Sequence, residues 1–209
     1  MPVKHFNMGN AFGVVTKAEP SKKKEGKEDT GAFTVEVQMR CRSEVYGNVT
    51  VFARVFNERA KAFLDFHKKH PDALIKLNGY FSQYRSEKGT LYNQLRFFDW
   101  EEREGQVPRC GFVLTGELTR ILDSADGKEK EFYLHLERPR GKEGDEVNEE
   151  DFILFLHPKD AKKIKDAEPP QGATVTLEGY LCQMGDYNMI ADQREGDVKA
   201  YIKTVKIHG

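Results

Sequence analysis

The chain has 209 residues, 38% of them hydrophobic and 32% charged, with a net charge of −1. That length supports one or two hydrophobic cores, its apolar runs are far shorter than the roughly 18 residues a membrane helix needs, and its near-zero charge argues against nucleic-acid binding by bulk charge alone. Three cysteines without CxxC spacing suggest neither a disulfide framework nor a zinc site, so a cytoplasmic protein is expected.

Alternation of apolar and polar residues begins in residues 10–18 and breaks at a loop carrying Lys22, Lys23, Lys24 and Lys27. It resumes in residues 32–42, where Phe33, Val35, Val37, Met39 and Cys41 share one face. Period two over such a length predicts a half-buried strand. Residues 49–56 form a third, with Val49, Val51, Ala53 and Val55 inward and Thr50, Phe52, Arg54 and Phe56 outward. Residues 57–70 place Ala60, Phe63, Leu64 and His67 at helical spacing, with Asn57 as candidate N-cap and Pro71 beyond the end. Strands at 73–85 and 91–103 flank a turn at 86–90. Three strands, a helix and two strands is the layout of a five-stranded Greek-key barrel of the oligonucleotide-binding (OB) kind.

A polar linker at 101–109 follows, and the order then recurs: strands at 111–122, 130–138 and 151–157, a helix at 158–167, and strands at 173–184 and 199–208. One segment is nearly repeated. Gly79, Tyr80 and Gln83 reappear as Gly179, Tyr180 and Gln183; Gly89, Tyr92 and Asn93 face Gly185, Tyr187 and Asn188, and Ala60-Lys61 faces Ala161-Lys162. A period near 100 is too long for a solenoid unit and fits a small domain. The expected fold is all-β with one short helix per domain: two tandem five-stranded OB-fold barrels, residues 1–104 and 105–209.

The segment 51–98, with an aromatic (Phe56) closing a strand before a helix, Gly79 in the next strand and Gly89 closing a hairpin, resembles the central run of bacterial-type single-stranded DNA-binding proteins. The second half resembles it more loosely. This resemblance implies a non-catalytic protein that binds single-stranded DNA in replication, recombination or repair. It also implies that Phe56 stacks on a base and that two-barrel chains form a homodimer supplying four barrels.

Single strands are held by aromatic faces on which bases stack and by a positive groove along the phosphates. Phe52, Arg54 and Phe56 alternate on the outer side of the third strand, and Arg40 and Arg42 point outward from the second. Tyr84 and Arg85 open the last hairpin, Lys88 sits at its tip, and Lys22, Lys23 and Lys24 add charge nearby. Tyr80 and Tyr180 are expected to pack. In the second half, Ile153, Phe155 and His157 replace Phe52, Arg54 and Phe56, and an acidic loop at 141–151 would repel phosphates, so weaker binding is expected there. Ile153 and Phe155, if exposed, would need covering by a partner subunit.

The six histidines are scattered, no phosphate-binding loop is visible, and the acid pairs Glu101-Glu102 and Glu149-Glu150 fall in linker and loop. No catalytic residue, metal, cofactor or small-molecule substrate is therefore expected. The same platform would accept RNA, and OB barrels also serve as protein-interaction or structural modules.

Overall fold

The computed structural model describes residues 3–21, 33–42, 47–104, 109–125, 127–139, 147–157, 160, 169–183, 187–188, 193–194 and 197–208. Lys22, Lys23, Lys24 and Lys27, Gly105, residues 140–146 of the acidic stretch, Gly185 and nearly all of the helix expected at 158–167 lie outside the described residues. The first half comprises β1 (Phe6–Pro20), β2 (Thr34–Arg42), β3 (Asn48–Phe56), α1 (Asn57–Lys69), β4 (Leu74–Arg85) and β5 (Leu91–Glu102). The second comprises β6 (Arg109–Asp123), β7 (Lys130–Pro139), β8 (Val147–Leu156), β9 (Thr174–Gln183), two short strands β10 (Tyr187–Asn188) and β11 (Gln193–Arg194), and β12 (Val198–Ile207).

Each half closes into a five-stranded barrel. In the first, β1 pairs β2, β2 pairs β3, β3 pairs β5 in parallel, β5 pairs β4, and β4 returns to β1. In the second, β6, β7, β8, β12 and β9 close in the same way, again with one parallel pair, β8–β12. The alternation of β2 and β3 is the cause of the closure: Val35, Val37, Met39, Cys41, Val49, Val51, Ala53 and Val55 are all buried, and a strand with one apolar face fixes its own register. Helix α1 caps the barrel with Ala60 and Phe63, and Phe63 meets Phe97 and Trp100 edge-on at 4.9 and 5.3 Å. Its N-cap is Phe56, without a side-chain cap bond, rather than Asn57, which takes a left-handed φ of 57°.

The echoed Gly-Tyr-x-x-Gln has two structural explanations. A Cβ at Gly79 would lie 2.2 Å from the Arg96 carbonyl oxygen, and one at Gly179 would lie 2.1 Å from that of Tyr201. Only glycine lets the last two strands of each barrel approach so closely. The glutamines instead join the barrels. Gln83 donates from Nε2 to the Ile153 carbonyl at 2.8 Å and accepts at Oε1 from the Ile153 N–H at 2.7 Å, while Gln183 Oε1 accepts from the Thr50 N–H at 3.3 Å.

The two barrels are otherwise continuous. β1 pairs antiparallel with β6 from Phe6 opposite Thr115 to Phe12 opposite Arg109. Phe81 of the first barrel stacks on Phe112 and Phe152 of the second at 4.9 and 5.6 Å. Asn7 bonds the Phe81 peptide through both amide atoms and donates to Glu150. One cluster of buried apolar side chains runs through both barrels. The acid pairs lie in strands rather than linker and loop: Glu101 pairs with Lys76 and Arg103, and Glu150 with Arg138.

Candidate nucleic-acid interface

The outer face of the first barrel is built from β2, β3, β5 and β4 in that spatial order. Because β3 and β5 run parallel with Phe52 beside Gln94 and Arg54 beside Arg96, the outward residues of β3 align with those of β5. The antiparallel β4–β5 pair adds Tyr80 opposite Arg96 and Tyr84 opposite Tyr92. Seven aromatic side chains are exposed among the described residues, and six share this face: Phe52, Phe56, Tyr80, Tyr84, Tyr92 and Phe98. Water-exposed rings at this density on one sheet are unfavourable unless something stacks on them.

The predicted site residues fall into groups. Phe52, Arg54 and Tyr84 line a common cleft of about 280 Å³ together with Tyr92, and Tyr84 and Tyr92 stack with centroids 4.9 Å apart and planes 12° from parallel. Phe56 is exposed at the far end of β3 and does not line that cleft. Arg40 and Arg42 are exposed on β2, as alternation required, and form no ion pair among the described residues. Arg85 donates to the Gly89 carbonyl at 3.3 Å across the hairpin, whose tip carries Lys88. Arg54 is not a free cation: its Nη2 lies 2.8 Å from Glu36 Oε1, which also accepts from Ser21.

Three residues of this face escaped the reading of the sequence. Tyr92, Arg96 and Phe98 are exposed along β5, and the period-two alternation that marked Phe52, Arg54 and Phe56 runs through them too. What the alternation lacked was the parallel β3–β5 pairing that puts them beside β3. Tyr80, expected to pack, is exposed; its ring lies 5.2 Å from that of Phe98 and 4.5 Å beneath the Arg138 guanidinium. The Arg59 guanidinium sits over Phe98 at 5.8 Å.

The matching face of the second barrel is closed. Tyr180, Cys182, Tyr201 and His157 are all buried. Tyr201 donates to Glu129 Oε1 at 2.7 Å, and burial first, then that carboxylate, pushes its phenol far above the ordinary value. Lys199 pairs with Glu129 at 2.8 Å and lies over the Phe155 ring at 4.6 Å. Ile153 and Phe155 are half-buried, not exposed: Gln83 holds the Ile153 peptide, and Phe155 packs on Tyr201. Their expected need of a covering subunit is therefore removed. No group of three or more His, Cys, Asp or Glu able to hold a metal ion occurs among the described residues.

No family model matches the sequence, and no curated protein matches it. Two solved structures are similar. The crystal structure of wild-type single-stranded DNA binding protein from Thermus aquaticus has a TM-score of 0.61 at 16% identity, over 99% of this chain and 95% of that one. A deletion mutant of the single-stranded DNA binding protein from the same organism gives 0.59 at 15% identity, over 99% and 96%. The likeness extends nearly end to end and is one of fold, the OB-barrel architecture of those proteins.

Proposed function

We propose that the chain is a non-catalytic single-stranded DNA-binding protein acting in replication, recombination or repair, with residues 1–104 and 105–209 as its two barrel units. The observation that carries this reading is the aromatic face of the first barrel, where Phe52, Phe56, Tyr80, Tyr84, Tyr92 and Phe98 stand exposed on one sheet. Bases stack on such rings while Arg40, Arg42, Arg96 and Lys88 lie on the same barrel to meet phosphates. The fold shared with proteins of that kind supports it. The second barrel, its equivalent face buried, serves as scaffold. RNA would use the same surface.

The test is titration of the full chain with fluorescent oligothymidine at two or more salt concentrations. Affinity should fall on a log–log plot with a slope of about 0.7 per phosphate neutralised. A flat response, or no binding at low salt, would turn the aromatic face into a docking surface for a protein partner. Sedimentation at micromolar concentration reports whether two chains pair to assemble four barrels.

A further inference from the structure

The cleft beside Phe52 has a floor as well as walls. Two amides of β5 form that floor, Asn93 and Gln94. Asn93 is fully engaged: its Oδ1 accepts from Gln83 at 2.7 Å and its Nδ2 donates to the Val198 carbonyl at 2.6 Å. Gln94 is only 5% exposed, yet its side chain makes no hydrogen bond to any described residue. Neither atom of that amide is among the fully buried unpartnered ones, so its two donors and its acceptor are presented to the cleft rather than sealed in the protein.

The walls select what can enter. Phe52 adjoins Gln94 on one side and Tyr92 precedes it by two residues on the same face, so a flat ring would find apolar surface to either side. The cleft's volume of about 280 Å³ is near the low end of small-molecule sites, ~300–1,000 Å³. Glu19 and Glu36 also line the cleft, each already paired with a cation, Lys17 at 2.6 Å and Arg54 at 2.8 Å. Lys17 and Arg54 line the cleft too, so its charge is balanced and offers a phosphate no net positive field. A neutral planar group suits it.

We propose that this cleft receives one base of the bound strand, with Gln94 reading its Watson–Crick edge, and that it prefers cytosine or adenine to thymine. The proposal rests on the single-strand reading above. Gln94 Oε1 would accept from the exocyclic amino group of cytosine or adenine and Nε2 would donate to the adjacent ring nitrogen. Gln94 can also pair with thymine, so the discrimination falls to Glu36: its carboxylate accepts from an amino group and opposes a carbonyl oxygen. The remaining rings stack without regard to sequence, so the surface has one selective position among tolerant ones.

The experiment measures the full chain against oligonucleotides of about ten residues, within the span of one OB barrel: all dT, dT with one central dC or dA, and all dC, at one salt concentration. A single dC or dA should tighten binding at least about fivefold, the low end for one bidentate contact, and further dC should add little. Gln94→Leu should bring the dC-to-dT ratio near one, and Glu36→Gln, which keeps the buried amide, should reduce it independently. Equal affinity for all sequences overturns the proposal and leaves the strand reading standing. So does a preference that grows with every added dC, or one that survives both substitutions. Failure of every oligonucleotide to bind overturns both.

Discussion

Phe56 and His157 show how much one side chain changes at a position the two barrels share. Phe56 offers an exposed ring at the end of β3, whereas His157, its match in the second barrel, is buried edge-on against Tyr201 at 5.3 Å. Stacking on one base contributes roughly 1–3 kcal/mol, so Phe52→Ala or Tyr92→Ala should weaken oligothymidine binding about fivefold to a hundredfold. Phe56→Ala should act in the same direction, while His157→Ala should lower stability and leave the affinity of the folded protein nearly unchanged. Equal loss of affinity in Phe56→Ala and His157→Ala would contradict the assignment. His135 predicts a pH effect. Its hydrogen bond to Asp151 at 2.9 Å holds its pKa above the ordinary value against the opposing effect of partial burial. A raised folded pKa stabilises fully below the unfolded value of about 6.5 and is lost as pH rises through the folded one. The urea midpoint difference between the natural protein and His135→Gln should therefore be larger at pH 5.5 than at pH 8, and small at both because Asp151 is exposed.

Among the elements, β4 carries the most varied duties. Gly79 permits its close approach to β5, Tyr80 and Tyr84 face outward, Phe81 joins the barrels' cores and Gln83 binds the second barrel's β8. Gly79→Ala should destabilise by ~1–3 kcal/mol or more, as overpacking does, because the new methyl meets backbone that cannot swing aside. Gln83→Ala leaves the Ile153 N–H and carbonyl without that partner and should cost about 1–3 kcal/mol. Thermal unfolding of both variants checks this, and an unchanged midpoint for Gln83→Ala would show that the amide contact contributes nothing. β5 is the element whose reading was least complete. Its extent was evident from the sequence, but Tyr92, Gln94, Arg96 and Phe98 come beside the outward residues of β3 only through the parallel pairing.

For the whole molecule, the shared core and the β1–β6 pairing make the two barrels one cooperative body. Calorimetry should give a single transition whose calorimetric and van't Hoff enthalpies agree; two separated transitions would show that the barrels unfold independently. The chain is near neutral and still has a candidate strand-binding face. Its positive groups are dispersed and several are already paired within the fold, as Arg54 is with Glu36 and Arg138 with Glu150, so the face relies on rings more than on charge.

Local periodicity was enough to locate the ten barrel strands, though not the short β10 and β11, together with the helix α1 and the inward faces of β2 and β3, because a half-buried strand must alternate and an amphipathic helix must place Ala60 and Phe63 one turn apart. It also put Phe52 and Arg54 on the outer side of β3, where they line one cleft with Tyr84, which stood out in the sequence for its place at the last hairpin. The Gly-Tyr-x-x-Gln echo was visible too, but the reason for its glutamines was not: a side chain that bonds a peptide 70 residues away leaves no mark on its neighbours in sequence. Tyr80 and Tyr180 share that echo and have opposite fates, one exposed and one buried. Alternation places both rings on the outer face of a strand, and only the packing of distant segments decides whether that face meets water or protein.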